Sequence, residues 1–357
     1  MKTRVLFLLL AMTLAGHAQK RLVLVDEDGA GPGGTDQMAI LALLQAPEVQ
    51  VLGITMVTGD QWRDEETLHT LRMLELTGHA NVPVARGAVF PLVRNRQQTL
   101  LAAQLDGMPG WLGAWGAHTA TSAAGQTIEI PAHGPYEIPP LAEGRPTLKP
   151  VDEDAAHFLI RQVRAHPHQV TIYAGGPLTN IALAISLDPE FASLTRGIVI
   201  MGASLNPQSP DPEFATDPRH EFNLWFDPEA SHIVLRATWP SIHVTTVDVS
   251  LKAPLTQSLL NEIAKSSSPA ARYIARWSTS HSYMWDELAA CAWLDPSIVT
   301  REQTLYMDVD LSRGADYGNT LTWTEATKPS TGVRQVHAQL DLDLGKFQKL
   351  FLRLMTN

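Results

Sequence analysis

The chain has 357 residues, 45% of them hydrophobic and 18% charged, with a formal net charge of −10 at pH 7. That length suits one large domain or two small ones, with enough apolar material for a sizeable core. The negative balance excludes nucleic acid and anionic membranes as partners, since both need a basic surface, and leaves cations and neutral ligands.

At the N-terminus, "MKTRVLFLLLAMTLAGHA" (1–18) places Lys2 and Arg4 before an apolar run too short to span a bilayer, followed by the small residues Gly16 and Ala18. This is the pattern of a cleaved secretory signal. No cysteine follows the run to carry a lipid, and no later stretch is apolar enough to cross a membrane. A secreted or periplasmic protein without membrane contact is expected. Beyond the leader, β-rich runs at 21–25, 49–57, 169–175, 197–202 and 241–249 alternate with helical patterns at 36–45, 63–77, 152–165, 179–187 and 227–236. The alternation predicts an α/β fold over residues 19–357, an open, mainly parallel sheet flanked by helices. Ligands bind such sheets beyond the carboxyl ends of the strands. Residues 94–150 interrupt the rhythm, being rich in Gly, Pro and Ala with Trp111, Trp115 and "HGPYEIPP". They are predicted to be an irregular surface insertion and a candidate lid. The C-terminal segment reads as strands and a last helix. The single cysteine, Cys291, sits in the apolar "LAACAWL", which predicts a buried thiol and no intrachain disulfide.

The stretch "LVLVDEDGAGPGGTDQMAIL" (22–41) spells Gly29-x-Gly31-x-x-Gly34 after an apolar run, the pattern of a dinucleotide loop. A phosphate there would meet Asp26, Glu27, Asp28 and Asp36, each opposing it by roughly 3 kcal/mol at about 5 Å and an effective dielectric near 20. A cation fits better, and calcium accepts about six to eight oxygen ligands. Helix capping by Asp36 or Thr35 explains the same segment equally well. Further polar residues fall where strands end or helices begin: Asp60 in "VTGDQW", Thr179 and Asn180 in "GGPLTN", Glu221 and Asn223 around Phe222 in "EFN", and Asp286 in the first turn of an apolar helix.

Taken in order, "DEDG…GGTDQMAIL", "VLGITMVTGD", "VTIYAGGPLTNIALAISLDPEF", "IVIMGAS", "EFNLWFDPEA" and "WDELAACAWLDP" resemble the inosine/uridine-preferring nucleoside hydrolases over roughly 21–350. The resemblance implies an exported hydrolase of the N-glycosidic bond of ribonucleosides, with one Ca2+ held by Asp28, Asp36, the Thr179 carbonyl and Asp286. Asp28 would accept the proton of the attacking water. Asp26, Thr35, Asp60, Met201, Glu221 and Asn223 fall where the family grips the ribose, and Phe222 and Trp285 lie by the base. Members are commonly dimers or tetramers, so a homo-oligomer acting on a small-molecule nucleoside is implied.

The sequence departs from the family in three places. Thr35 replaces the first of two adjacent aspartates and offers a neutral hydroxyl. Asp60 stands where Asn is frequent. Trp285 takes the place of a His that precedes the last metal aspartate, and indole has no titrating proton. Tyr136, His133 and His118 in the insertion are candidate acids for the leaving base, and Asp217 is the nearest candidate for the ribose 5′-hydroxyl. Two other classes stay open: a calcium- and ribose-binding relative without turnover, and a dinucleotide-dependent enzyme resting on the glycine spelling.

Overall fold

The computed structural model describes residues 20–107, 109–122, 124–211, 214–215, 220–280 and 283–357. The leader and Asp217 lie outside them. Nine strands form one sheet in the order β10-β9-β11-β8-β7-β6-β1-β2-β3, and β4 with β5 forms a separate hairpin. The strands are β1 (Arg21–Glu27), β2 (Val49–Met56), β3 (Val84–Arg86), β4 (His118–Thr121), β5 (Thr127–Ile130), β6 (Val170–Ala174), β7 (Gly197–Met201), β8 (Ile242–Thr245), β9 (Val299–Val309), β10 (Thr320–Trp323) and β11 (Arg334–Leu342). All neighbours from β11 to β3 are parallel, while β9 pairs antiparallel with β11 and β10. The mainly parallel sheet expected from the sequence is therefore present, with an antiparallel edge.

Helices cover both faces, so the central strands read as continuous apolar runs rather than alternating ones. Residues of β1 alternate between the two cores: Val23 and Val25 pack on one side with α1 (Thr35–Gln45), and Leu24 packs on the other. The period of two that splits these residues also decides where the acidic end of β1 points. The remaining helices are α2 (Arg63–Thr77), α3 (Arg96–Asp106), α4 (Ala155–Ala165), α5 (Thr179–Leu187), α6 (Phe222–Phe226), α7 (Pro228–Arg236), α8 (Val247–Ser250), α9 (Gln257–Ile263), α10 (Pro269–Trp277), α11 (Trp285–Leu294) and α12 (Leu344–Thr356). Cys291 is buried in α11 among apolar neighbours, as expected. Among the described residues, no helix is long and apolar enough to cross a membrane.

Two expectations change. The apolar run 241–249 is a strand only to Thr245, and then turns into α8. Asp248 accepts the amides of Leu205 and Asn206, so tertiary hydrogen bonds override the β-propensity of the valines there. The insertion is not irregular throughout: it holds α3, a 3-10 turn at Gly113–Trp115 and the β4–β5 hairpin. Asn95 caps α3 by accepting the Gln98 amide, but Thr99 is its only buried residue.

Candidate active site

The strand order reverses its direction of growth between β1 and β6, and a crevice forms beyond their carboxyl ends. A cleft of about 510 Å³ opens there. Of twelve residues expected at the site, ten line it: Asp28, Thr35, Asp36, Asp60, Met201, Glu221, Phe222, Asn223, Trp285 and Asp286. They come from the ends of β1, β2 and β7 and the first turns of α1, α6 and α11.

Asp28 follows the last residue of β1, and its carboxylate accepts the Asp60 amide at 2.9 Å. Gly59 and Gly176 close on it from two sides. A Cβ at Gly176 would stand 2.8 Å from Asp28 Oδ1, and one at Gly59 would overlap Oδ2. Asp36, in the first turn of α1, accepts the Ala30 amide at 2.9 Å, which folds the glycine loop back over the helix start. Asp286 begins α11, its backbone carbonyl accepting the buried Tyr173 hydroxyl at 2.8 Å. Thr35 donates to Glu287 and lies 3.3 Å from Asp286 Oδ2, joining the starts of α1 and α11.

One carboxylate was missed from sequence. Glu27 shares the sheet face of Val23 and Val25, toward α1, and places oxygen atoms with Asp28 and Asp36 so that all lie within 4.8 Å of one another. The signal was available in the alternation along β1. Both Glu27 oxygens and Asp286 Oδ1 are buried without a hydrogen-bond partner. Burial, and then the negative charges of one another and of Asp60 and Glu287, hold Glu27, Asp28, Asp36 and Asp286 well above the usual carboxylate range. Buried carboxylate oxygens without donors, gathered this closely, fit a hard cation. The donor set is all oxygen, which suits calcium, magnesium or manganese chemistry over zinc.

Two expected residues do not reach the cleft. Asp26 lies on the opposite face of β1, fully buried, where it accepts from Thr55 and from Asn180 Nδ2 at 2.8 Å. Burial pushes it up to about 7 against the pull of those two donors. Thr179 sits at the start of α5 with its hydroxyl donating to Asp227 at 2.7 Å, and the backbone that borders the cleft from this loop belongs to Gly175. Asn223 Nδ2 donates to the Gly175 carbonyl and, at 3.3 Å, to that of Met201, tying α6 to the ends of β6 and β7. Glu221 caps α6, accepting the amides of Asn223 and Leu224 and that of Ala203, and burial pushes it up to about 7. Asp60 rises to about 6 by burial, opposed by a hydrogen bond from Trp111 Nε1 at 2.6 Å.

The same cleft is lined by the aromatic rings of Trp111, Phe214, Phe222, Tyr283 and Trp285. Trp285 meets Tyr283 edge-on with ring centres 5.2 Å apart and Phe214 at 6.0 Å. Trp111 belongs to the insertion, which therefore supplies part of the lining. The three candidate acids from that segment fall elsewhere: Tyr136 is exposed, while His118 and His133 turn inward against Glu65. The glycine loop also fails as a phosphate cradle. The Ala30, Gly31 and Gly33 amides are spent on Asp36, Gln61, Gln37 and Tyr273, so the dinucleotide reading is set aside.

A profile of the "Inosine-uridine preferring nucleoside hydrolase" family matches residues 23–349. The probable uridine nucleosidase 1 of Oryza sativa subsp. japonica is 32% identical over 255 residues, covering 71% of this chain and 66% of its own. The inosine-uridine preferring nucleoside hydrolase of Leishmania major is 26% identical over 337 residues, covering 90% of this chain and 94% of its own. Among solved structures, a plant nucleoside hydrolase superposes with a TM-score of 0.72 at 25% identity, covering 94% of this chain and 99% of that one. With the carboxylate cluster at the sheet's switch point and matches along nearly its whole length, the chain belongs to the inosine-uridine preferring nucleoside hydrolase family.

Proposed function

We propose that this protein is an exported, calcium-dependent hydrolase that cleaves the N-glycosidic bond of ribonucleosides to free base and ribose. The observation that carries the reading is the set of orphaned oxygens of Glu27 and Asp286, beside Asp28 and Asp36, at a cleft that aromatic rings also line. Asp28, Asp36 and Asp286 would hold the calcium, with Glu27 as a further carboxylate and the Gly175 carbonyl in place of that of Thr179. When bound, the ion neutralises the carboxylates and makes hydroxide more available from water. Asp28 is oriented by the Asp60 amide, so one oxygen is fixed and the other can accept the proton of the attacking water. Departure of the base leaves positive charge on the ribosyl group, and the crowded carboxylates supply a preorganised negative field for it. Asp60, Glu221 and Asn223 present polar groups to the ribose hydroxyls, and Phe222 and Trp285 offer faces on which a base stacks. Names borne by the relatives, for uridine and for inosine and uridine, support a ribonucleoside substrate. The basic, apolar and small-residue order of residues 1–18 supports export.

The test is release of free sugar from a panel of purine and pyrimidine nucleosides, in calcium and in excess chelator. Release should require the ion and fall at least about 10³-fold in Asp28→Asn, as expected for a group acting on the reacting atoms. Nucleoside-induced thermal stabilisation without release from any nucleoside would replace this reading with a binding protein.

A further inference from the structure

Outside the cleft, α2 and the insertion bury a second group of donors. Glu65 and His69 lie one turn apart on α2, and His118, His133 and Glu143 come from the insertion. All five side chains are at most 7% exposed. Glu65 is the hub: its carboxylate oxygens stand 3.9 Å from His69 Nε2, 3.8 Å from His118 Nε2 and 3.2 Å from His133 Nε2. A tetrahedral ion with bonds of about 2.0–2.1 Å sets its donors roughly 3.3 Å apart. The rings are also oriented from behind. His69 Nδ1 is held by Glu143 and His133 Nδ1 lies 3.1 Å from the Gly134 carbonyl, so both present Nε2 to Glu65. That pairing of a ligating imidazole with a carboxylate or carbonyl on its other nitrogen is the usual support of a metal-bound histidine. Glu143 Oε2 and His118 Nδ1 remain buried without partners.

We propose that Glu65, His69, His118 and His133 form a closed site for a borderline transition-metal ion, zinc in class, which fastens the insertion to α2. Three imidazoles with one carboxylate favour zinc, cobalt or nickel over calcium or magnesium. The two buried carboxylates, Glu65 and Glu143, are balanced by one divalent ion. Capture must draw the imidazoles inward, since no three of the four donors lie within 4.8 Å of one another before the ion binds, and takes His118 Nε2 from Gln61, now 3.1 Å away. Gln61 also bonds Gly31 in both directions, so the site adjoins the loop of the catalytic cleft without sharing a ligand with it.

The experiment uses the mature chain without affinity histidines, stripped by chelator and titrated with Zn2+ and separately with Co2+ in excess Ca2+. One Zn2+ equivalent that Ca2+ does not displace is expected, with the ligand-field absorption of tetrahedral Co2+. The Asp28→Asn variant should keep this site. The double variant His118→Ala/His133→Ala should lose it by on the order of 100-fold or more in affinity, and Glu143→Gln, which retains shape, should weaken it by about 10–100-fold. Absence of Ca2+-resistant binding, an octahedral Co2+ spectrum, or loss in Asp28→Asn with retention in the histidine variant would overturn the proposal. The wild-type Co2+ spectrum decides the question even if the double variant does not fold.

Discussion

A methyl group added at Gly59 would overlap the Asp28 carboxylate, and at Gly175 it would overlap that of Glu27. Neither glycine has a positive φ, so the demand is for space at the acidic cluster. Gly59→Ala should displace Asp28 and lower kcat/KM by about 10²-fold, the cost of misplacing a reacting group by roughly an ångström, with circular dichroism unchanged; full activity would show that Asp28 tolerates the shift. Thr35 is one of the three residues at which the family pattern and this chain part, and the structure shows what its hydroxyl does. It donates to one oxygen of Glu287, the other being buried without a partner, and burial pushes that carboxyl group up to about 8. Thr35→Val keeps the volume and strands that carboxyl group, so a loss of roughly 1–3 kcal/mol is expected in chemical denaturation. At this scale the sequence was legible where a side chain lies at a strand or helix end, as with Asp36, Asp60 and Asp286. Thr179 and Asp26 were expected at the site from motif position, and neither lines the cleft: the Thr179 hydroxyl turns to Asp227, and the parity of Asp26 along β1 turns it to the other face.

The insertion is an element whose role depends on how it is fastened. Trp115 stacks on Phe226 at 4.4 Å and meets Trp225, placing a buried aromatic cluster under the loop that carries Trp111. Trp115→Ala should cost about 3–5 kcal/mol if the cluster is cooperative with the core. If it unfolds separately, the global transition stays and proteolysis begins within 94–150. Trp111→Phe removes the hydrogen bond to Asp60 while keeping a ring in the cleft. A rise in KM with little change in kcat is the expected signature of lost ground-state grip. The helices 63–77 and 179–187 were read from the sequence, whereas α3, which buries only Thr99, and the hairpin fell within the segment read as irregular. The inward turn of His118 and His133 depends on Glu65, which lies more than 50 residues earlier in the chain, and no local pattern reports it.

For the whole molecule, the buried carboxylates set how stability responds to pH. Asp26 and Glu221 rise to about 7 and Glu287 to about 8, in each case chiefly by burial. A carboxyl group raised on folding binds its proton more tightly in the folded than in the unfolded chain, so unfolding free energy falls as pH rises from about 4 through these values. The chelated protein should melt at a lower temperature at pH of about 8 than at about 5. Calcium should narrow or reverse that difference by binding only the folded cluster. A pH-independent melting temperature after chelation would contradict the burial of these carboxyl groups. The order of strands carries a kinetic consequence as well. β1 pairs with β2 on one side and with β6 on the other, so the strand bearing the acidic cluster cannot be enclosed until residues 170–174 have been made. The cluster is complete only once Asp286 docks. Long-range closure of this kind is slow, so the strand that leads into the acidic cluster stays open on one side until late, and the cluster should be assembled among the last events of folding.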